Sequence, residues 1–214
     1  MSGLLVVVEG SDGCGKTTLV TMIKNRLIFF GHDADIHRAP GGTVFGEKTR
    51  NAIFNSDREP DNLSVCFSML ASHNQFFKEI VETKVNAGKI VIADRFIEST
   101  IAYQGVDEKT NKIIRDSYDL ILDKSNIKIL RVFIKTDVKT CMERIKTRGV
   151  ENFLDIKDFN FYNRVSKSYD SMINQYKASG DPAMTIELDN NGTLEQTSKK
   201  IDIIVTQIIK HTTT

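Results

Sequence analysis

Residues 4–18 read LLVVVEGSDGCGKTT, and no other stretch constrains the chain so tightly. Leu4 to Val8 is an apolar, valine-rich run of the length of a buried strand. It leads into Gly10-Ser11-Asp12-Gly13-Cys14-Gly15-Lys16-Thr17, which fits G-x-x-x-x-G-K-[ST]. Each residue type there has a physical task. Glycine lets the backbone take positive φ and turn successive N–H groups inward as an anion nest. The helix that must follow adds the positive end of its dipole. A lysine at position 16 reaches the β- and γ-phosphates of a nucleotide, and the Thr17 hydroxyl is placed to ligate Mg²⁺. The expectation is an ATP-binding loop from Gly10 through Thr18.

Composition narrows what such a loop serves. A chain of 214 residues, 40% hydrophobic and 27% charged, suits one domain with a sizeable core, spanning 1–214. A net charge of +1 provides no global field toward nucleic acid or membrane, so neither is expected as a partner. No apolar run approaches a membrane span, and the N-terminus enters its strand without a signal-peptide pattern. The cysteines, Cys14, Cys66 and Cys141, are scattered and odd in number. That argues against a disulfide framework or a zinc site and for a reducing cytoplasm. Cys14, inside the loop, is either alkylation-sensitive or a small filler.

Helical periodicity runs from Thr17 to Phe30 and stops at Gly31. Further helices are expected at Glu47–Phe54, from Asp61 or Asn62 to about Ala87, Ile97–Tyr103, Glu108–Leu122, from an Asp137 cap onward, Asp158–Ala178 and Leu194–Ile209. Strands are expected at Ala34–His37, Lys89–Ala93, Lys128–Ile134 and Met184–Leu188. Pro40 with Gly41 and Gly42 marks a loop. The alternation implies a three-layer α/β sandwich with a central five-stranded parallel sheet and helices on both faces. Ligands in such sheets sit at the carboxyl ends of the strands. Gly10, Arg38 and Asp94 all follow strand ends, so they should converge on one crevice.

Asp94 closes an apolar strand, where an acid either holds Mg²⁺ or caps the next helix. Arg95 follows at once and suits bidentate capture of a second phosphate. Arg144, Lys146 and Arg148 precede a break at Gly149. They read either as a solvated helix face or as a mobile lid, at about 144–158, that brings positive charge to a transferring phosphoryl group and excludes water. His32, His37, His73 and His211 show no metal-ligand spacing.

At this point several segments resemble the thymidylate kinase family. Gly10 to Thr18 resembles its phosphate loop, including the internal Asp12-Gly13. Arg38-Ala39-Pro40-Gly41-Gly42-Thr43 is similar to its Arg-Glu-Pro-Gly-Gly-Thr loop, and Gly46-Glu47-Lys48-Thr49-Arg50 to the Gly-Glu-x-x-Arg that follows. Asp94-Arg95-Phe96-Ile97-Glu98-Ser99-Thr100-Ile101-Ala102-Tyr103-Gln104-Gly105 resembles its most specific signature. The resemblance implies Mg-dependent transfer of the ATP γ-phosphate to dTMP, giving dTDP and ADP on the way to dTTP, by a cytoplasmic homodimer. It implies that Asp12 approaches the acceptor sugar, that Arg95, Arg38 and Arg50 hold the acceptor phosphate, and that Tyr103 excludes a 2′-hydroxyl. Pro40 and Ser99 lie within the matched motifs and join the substrate set, with Gln104 near the base. Thr17 and Asp94 would serve the metal, and Lys16, Asp12, Arg95, Arg144 and Arg148 the transfer itself. Gly13 stands where some members put an arginine, which points to the lid as the source of Arg144 and Arg148.

The departures concern the base. Ala39 replaces the acid of the Arg-Glu-Pro loop. Where the family has an aromatic that stacks on thymine and an arginine four residues on, this chain has Met69 and His73, and a one-residue shift brings Leu70 and Asn74 instead. Phe153 stands at the lid's second arginine. A thioether is an adaptable surface and a neutral imidazole brings no fixed charge. The expectation is base selectivity that is weaker or broader than the family norm, with dUMP, dGMP or dCMP accepted. Two other classes compete: a hydrolytic phosphate-loop switch and a non-catalytic nucleotide-binding module. A switch wants Asn-Lys-x-Asp after a strand, and the nearest match, Ile134-Lys135-Thr136-Asp137, lacks the Asn. A deoxynucleoside kinase would need a carboxylate base, for which Glu9 is the available residue.

Overall fold

The computed structural model describes residues 2–179 and 184–213. The elements run in chain order: β1 (Leu4–Glu9), α1 (Lys16–Phe29), β2 (Ala34–Arg38), α2 (Val44–Phe54) and α3 (Asn62–Phe76). A π-helical turn at Phe77–Val81 then leads into α4 (Glu82–Asn86) and β3 (Ile90–Asp94). They continue as α5 (Ile97–Gln104), α6 (Glu108–Leu122), β4 (Ile129–Lys135), α7 (Val138–Arg148), α8 (Phe159–Ala178), β5 (Thr185–Asp189) and α9 (Leu194–Thr213). The five strands form one parallel sheet in the order β2-β3-β1-β4-β5.

β1 is central and all six of its residues are buried. Both faces of a parallel sheet are covered, so the strand reads as a continuous apolar run rather than an alternating one. The period of two still sorts its side chains. Leu4, Val6 and Val8 pack with Leu19, Ile23 and Leu27 of α1 and Ile201, Ile204 and Ile208 of α9. Leu5 and Val7 pack on the other face with Phe76, Phe77, Val81 and Ile114. Burial of each such side chain contributes about 1.5–3 kcal/mol. The π turn lets Phe76 and Phe77 both enter this second core, with Val81 and Val85 following.

Register brings the functional strand ends level. Val8 pairs with Asp94, Arg38 pairs with Asp94, and Glu9 pairs with Phe133. The chain fills one side of β1 with β2 and β3 before crossing to β4 and β5, which opens a crevice at the carboxyl end of β1.

Three local expectations need correction. α2 starts at Val44 rather than Glu47, because the Thr43 hydroxyl accepts from Gly46 N and caps the helix one turn earlier. The helix expected from Asp61 to Ala87 is interrupted by the π turn, although Asp61 does cap it, accepting from Leu63 N and Ser64 N. Asp137 precedes α7 but its side chain makes no capping bond. Its own N–H donates instead to Asn191 Oδ1 at 2.8 Å, tying the ends of β4 and β5 together.

Candidate active site

The loop after β1 is shaped by close backbone approach. Gly13 has φ +77°, and a Cβ there would lie 2.3 Å from the Cys141 carbonyl oxygen of α7. Gly10 has φ +150°, and a Cβ would meet the Ile134 carbonyl oxygen at 2.6 Å. Glycine is therefore required at both positions, and at 13 no arginine fits. The Lys16 ammonium is buried and lies back over its loop, donating to the carbonyls of Gly10 (2.7 Å) and Ser11 (2.9 Å). Asn190, at the end of β5, donates to the Cys14 carbonyl at 2.7 Å, and the Thr136 hydroxyl donates to the same oxygen at 3.2 Å. Cys14 itself is 1% exposed and packs in the core, so of its two readings the structure supports the filler.

A groove runs along the loop, bordered by Gly13, Gly15, Lys16, Thr17, Thr18, Arg38 and Asp94. Arg144 and Arg148 border it from α7. Six basic side chains, Lys16, Arg38, Arg50, Arg95, Arg144 and Arg148, face three carboxylates, Asp12, Asp94 and Glu151. That excess suits a polyphosphate. Beside the groove lies an inner cavity walled by Pro40, Phe54, Met69, His73, Ser99, Thr100, Tyr103, Gln104 and Leu154. The groove and the cavity share Asp12, Arg50, Arg95 and Asn152. Met69 and His73 thus face the cavity, whereas Leu70 packs into the core and Asn74 is exposed.

The shared wall is a tight polar knot. Arg95 sits at φ +73°, a conformation that costs a non-glycine residue about 1–2 kcal/mol. Its guanidinium donates to Asp12 Oδ1 (2.6 Å), the Gly10 carbonyl (2.9 Å), Ser99 Oγ (2.8 Å) and Tyr169 Oη (3.2 Å). The Tyr103 hydroxyl donates to Asp12 Oδ2 and accepts from Asp12 N, both at 2.9 Å. Burial alone would raise the Asp12 pKa, but the charges of Arg95 and Lys16 outweigh it and bring the group to about 2. Asp12 is therefore a fixed anion between loop and strand. Arg50, half-buried and close to Arg38, has its pKa lowered to about 10, and remains a cation at neutral pH.

Glu9 is not placed as a base facing the cavity. It is fully buried, and its two oxygens accept from Phe96 N (2.7 Å), Ser99 N (3.2 Å), Ser99 Oγ (2.6 Å) and Tyr169 Oη (3.0 Å). It satisfies the orphan N–H groups at the start of α5 from a neighbouring strand. The start of α5 therefore has no side-chain cap of its own, and the capping reading of Asp94 is not what the structure shows. Burial and the nearby Glu98 raise the Glu9 pKa to about 7. Glu98 is buried too, and is held by Arg131 at 2.7 Å and Tyr176 at 3.1 Å.

His73 is 1% exposed and its Nε2 lies 3.0 Å from Thr100 Oγ1. Burial lowers its pKa to about 3, so the ring is neutral. Gln104 is buried, and its carbonyl accepts from Asn62 Nδ2. In the last turns of α7, Arg144 reaches the Gly13 carbonyl at 3.4 Å. Arg148 instead pairs with Asp155 at 2.7 Å and Glu151 at 3.2 Å, so its charge is already engaged. The 149–158 segment is folded as turns against the inner cavity.

Sequence reasoning missed Tyr169, Arg164 and Asn190. Arg164 donates to the carbonyls of Ala102 (3.2 Å) and Tyr103 (3.1 Å), closing the end of α5 behind Tyr103. Tyr169 and Arg164 lie among other polar and aromatic residues of α8 and carried no signal in the sequence. Asn190 follows a strand end, which is where ligands of such sheets lie, and that rule would have found it. Among the described residues no three His, Cys, Asp or Glu side chains gather as a metal cluster. The Thr17 hydroxyl and the Asp94 carboxylate border one groove as two oxygen donors. Also among the described residues, no helix is long and apolar enough to cross a membrane.

Three comparisons bear on this arrangement. A family model described as thymidylate kinase matches residues 8–201. The thymidylate kinase of Ehrlichia ruminantium (strain Gardel) is 34% identical over 180 residues, 81% of this chain and 85% of that protein. That of Legionella pneumophila (strain Paris) is 28% identical over 213 residues, 99% of this chain and 98% of that protein. The crystal structure of thymidylate kinase from Ehrlichia chaffeensis superposes with a TM-score of 0.73 at 25% identity, covering 98% of this chain and all of that one.

Proposed function

The chain belongs to the thymidylate kinase family, and from that premise we propose that it transfers the γ-phosphate of ATP to dTMP, giving dTDP and ADP. The carrying observation is that a basic loop groove and a separate inner cavity meet at the Asp12–Arg95 pair. One phosphate chain lies along the loop, and a second phosphate is held by Arg95 with Arg50 and Arg38. Where the depressions join, an acceptor phosphate oxygen bonds to the γ-phosphorus as the bond from that phosphorus to the bridging oxygen of ADP breaks. Phosphoryl transfer asks for little covalent help from the protein, so positioning and charge supply the rate. Lys16 moves from its loop carbonyls to the phosphates, and Arg144 adds charge from α7. Asp12, held ionised, fixes Arg95 and Tyr103 so that neither reorganises during the reaction. Mg²⁺ fits the donors present: Thr17 and Asp94 offer few, hard oxygen ligands, as suits an ion that keeps most of its waters. When bound, it neutralises phosphate charge.

The acceptor base lies against Met69 and His73 in this proposal. Met69 supplies no ring face and the neutral His73 no fixed charge, which favours a broader choice of pyrimidine and purine deoxynucleoside monophosphates as the second reading. A coupled assay with ATP, Mg²⁺ and each of dTMP, dUMP, dCMP and dGMP separates them. Transfer to dTMP alone supports the narrow reading, and comparable kcat/KM across acceptors supports the broad one. Hydrolysis of ATP with no acceptor phosphorylated would overturn both.

A further inference from the structure

Phe153 stands where the family resemblance leads one to expect an arginine, and the structure gives it a different engagement. Its ring stacks on Phe54 of α2, with centroids 5.8 Å apart and planes 23° from parallel. Both rings pack against the small core of Ile53, Val65 and Met69. The stack is capped by a cation at each end. The Arg50 guanidinium lies 4.8 Å over Phe54, and the Lys157 ammonium lies 5.9 Å over Phe153. Lys157 in turn pairs with Glu59 at 2.6 Å, pinning the segment to the loop between α2 and α3. The neighbours of Phe153 on either side, Asn152 and Leu154, form part of the wall of the inner cavity. The segment carries hydrogen bonds of its own. The Asp155 carboxylate accepts from the N–H groups of Glu151 (2.9 Å) and Asn152 (3.1 Å), and the Leu154 carbonyl accepts from Tyr162 Oη (3.0 Å).

We infer that Phe153 is a positioning residue for the acceptor site: docked on Phe54, it seals the inner cavity with Asn152 and Leu154 and holds Arg50 toward the phosphate end. The inference rests on the proposed reading of the inner cavity as the acceptor site. Its physical basis is that a cation–ring–ring–cation column fixes a long, flexible arginine through its flat face while leaving its N–H edge free for a ligand. The phenylalanine at 153 ties the segment to α2, on the acceptor side.

Steady-state kinetics of Phe153→Ala, Phe153→Leu, Phe54→Ala and the Phe54→Ala/Phe153→Ala double variant test this, with amide hydrogen exchange of residues 150–157 measured on each. The expected result for Phe153→Ala is an acceptor KM raised about tenfold, an ATP KM within about twofold of wild type, and faster exchange across 150–157. Phe153→Leu keeps apolar bulk but loses the ring, so it should lose nearly as much as Phe153→Ala, and the double variant should be little worse than either single one, because both remove the same contact. The proposal is overturned by an unchanged acceptor KM, by an equal rise in both KM values, or by Leu performing like the wild type. If the wild type phosphorylates no nucleoside monophosphate, the proposed function fails separately. Exchange at 150–157 then still decides the docking: protection unaltered by Phe153→Ala overturns it.

Discussion

Asp12 and Arg95 are joined at 2.6 Å, one from the phosphate loop and one from the turn after β3, 83 residues apart in the chain. The bond connects the groove to the cavity, and both partners are largely shielded from water. Its consequence is that whatever binds in one depression meets a wall shared with the other.

Arg95→Ala should reduce kcat/KM for the acceptor by at least about 100-fold, since a buried, multiply hydrogen-bonded cation is worth several kcal/mol. The ATP KM should change little. Isothermal titration with dTMP and with an ATP analogue separates the two effects; equal loss for both ligands would remove Arg95 from the acceptor side.

Lys16→Ala should lower the transfer rate by about three orders of magnitude while the thermal melt stays within a few degrees. The Lys16 ammonium holds two loop carbonyls and the Cys14 sulfur, all within the loop, and the glycines set the loop's path. A collapsed far-ultraviolet spectrum would mean that the lysine builds the loop rather than serving it.

Tyr103 bears on two different questions. Tyr103→Phe removes both hydrogen bonds to Asp12 but keeps the ring, so it should slow transfer without admitting ribonucleotides. Tyr103→Ala opens the cavity wall and should narrow the ratio of kcat/KM between dUMP and UMP about tenfold or more. If UMP stays excluded by the alanine variant, the ring is not the gate.

Glu9→Gln and Glu9→Ala distinguish a buried cap from a general base. Gln keeps an oxygen for Phe96 N and Ser99 N, and the Ser99 and Tyr169 hydroxyls can reverse their donation. It should therefore retain at least about a tenth of activity, where loss of a base would cost 10²–10⁴-fold. Ala strands those donors and should destabilise by about 3 kcal/mol in urea titrations.

His73 sets a pH dependence of stability. Its pKa is lowered from 6.5 to about 3 by burial, so below pH 6.5 the unfolded chain binds a proton that the folded chain does not. Stability contributed by the neutral ring is fully present above pH 6.5 and is lost as pH falls toward 3. At pH 5 the loss is about 2 kcal/mol, at 1.36 kcal/mol per unit. Urea titrations at pH 7 and pH 5 should show this in the wild type and much less of it in His73→Gln; an equal drop in both would assign it elsewhere.

The strand pattern and strand ends were legible because burial on both faces forces unbroken apolar runs, as in Leu4–Val8 and Ile90–Ala93. The phosphate loop was legible because glycine, lysine and threonine are demanded by local geometry. The π turn in the long helix, the bonded partners of Arg148 and the path of 149–158 were not, because they depend on which distant side chains arrive. Glu9 shows the limit well. Its type suggested a base, and only the approach of Phe96, Ser99 and Tyr169 reveals four donors already claiming it.

The sequence alone determined the strands, the loop and the family, since each rests on a local residue pattern or on residue types with few substitutes. The tertiary structure decided which of Met69 and Leu70 faces the cavity, that no side chain fits at Gly13 beside Cys141, and that Phe153 docks on Phe54. Those outcomes turn on distances of a few ångströms between segments far apart in the chain, and no local pattern encodes them.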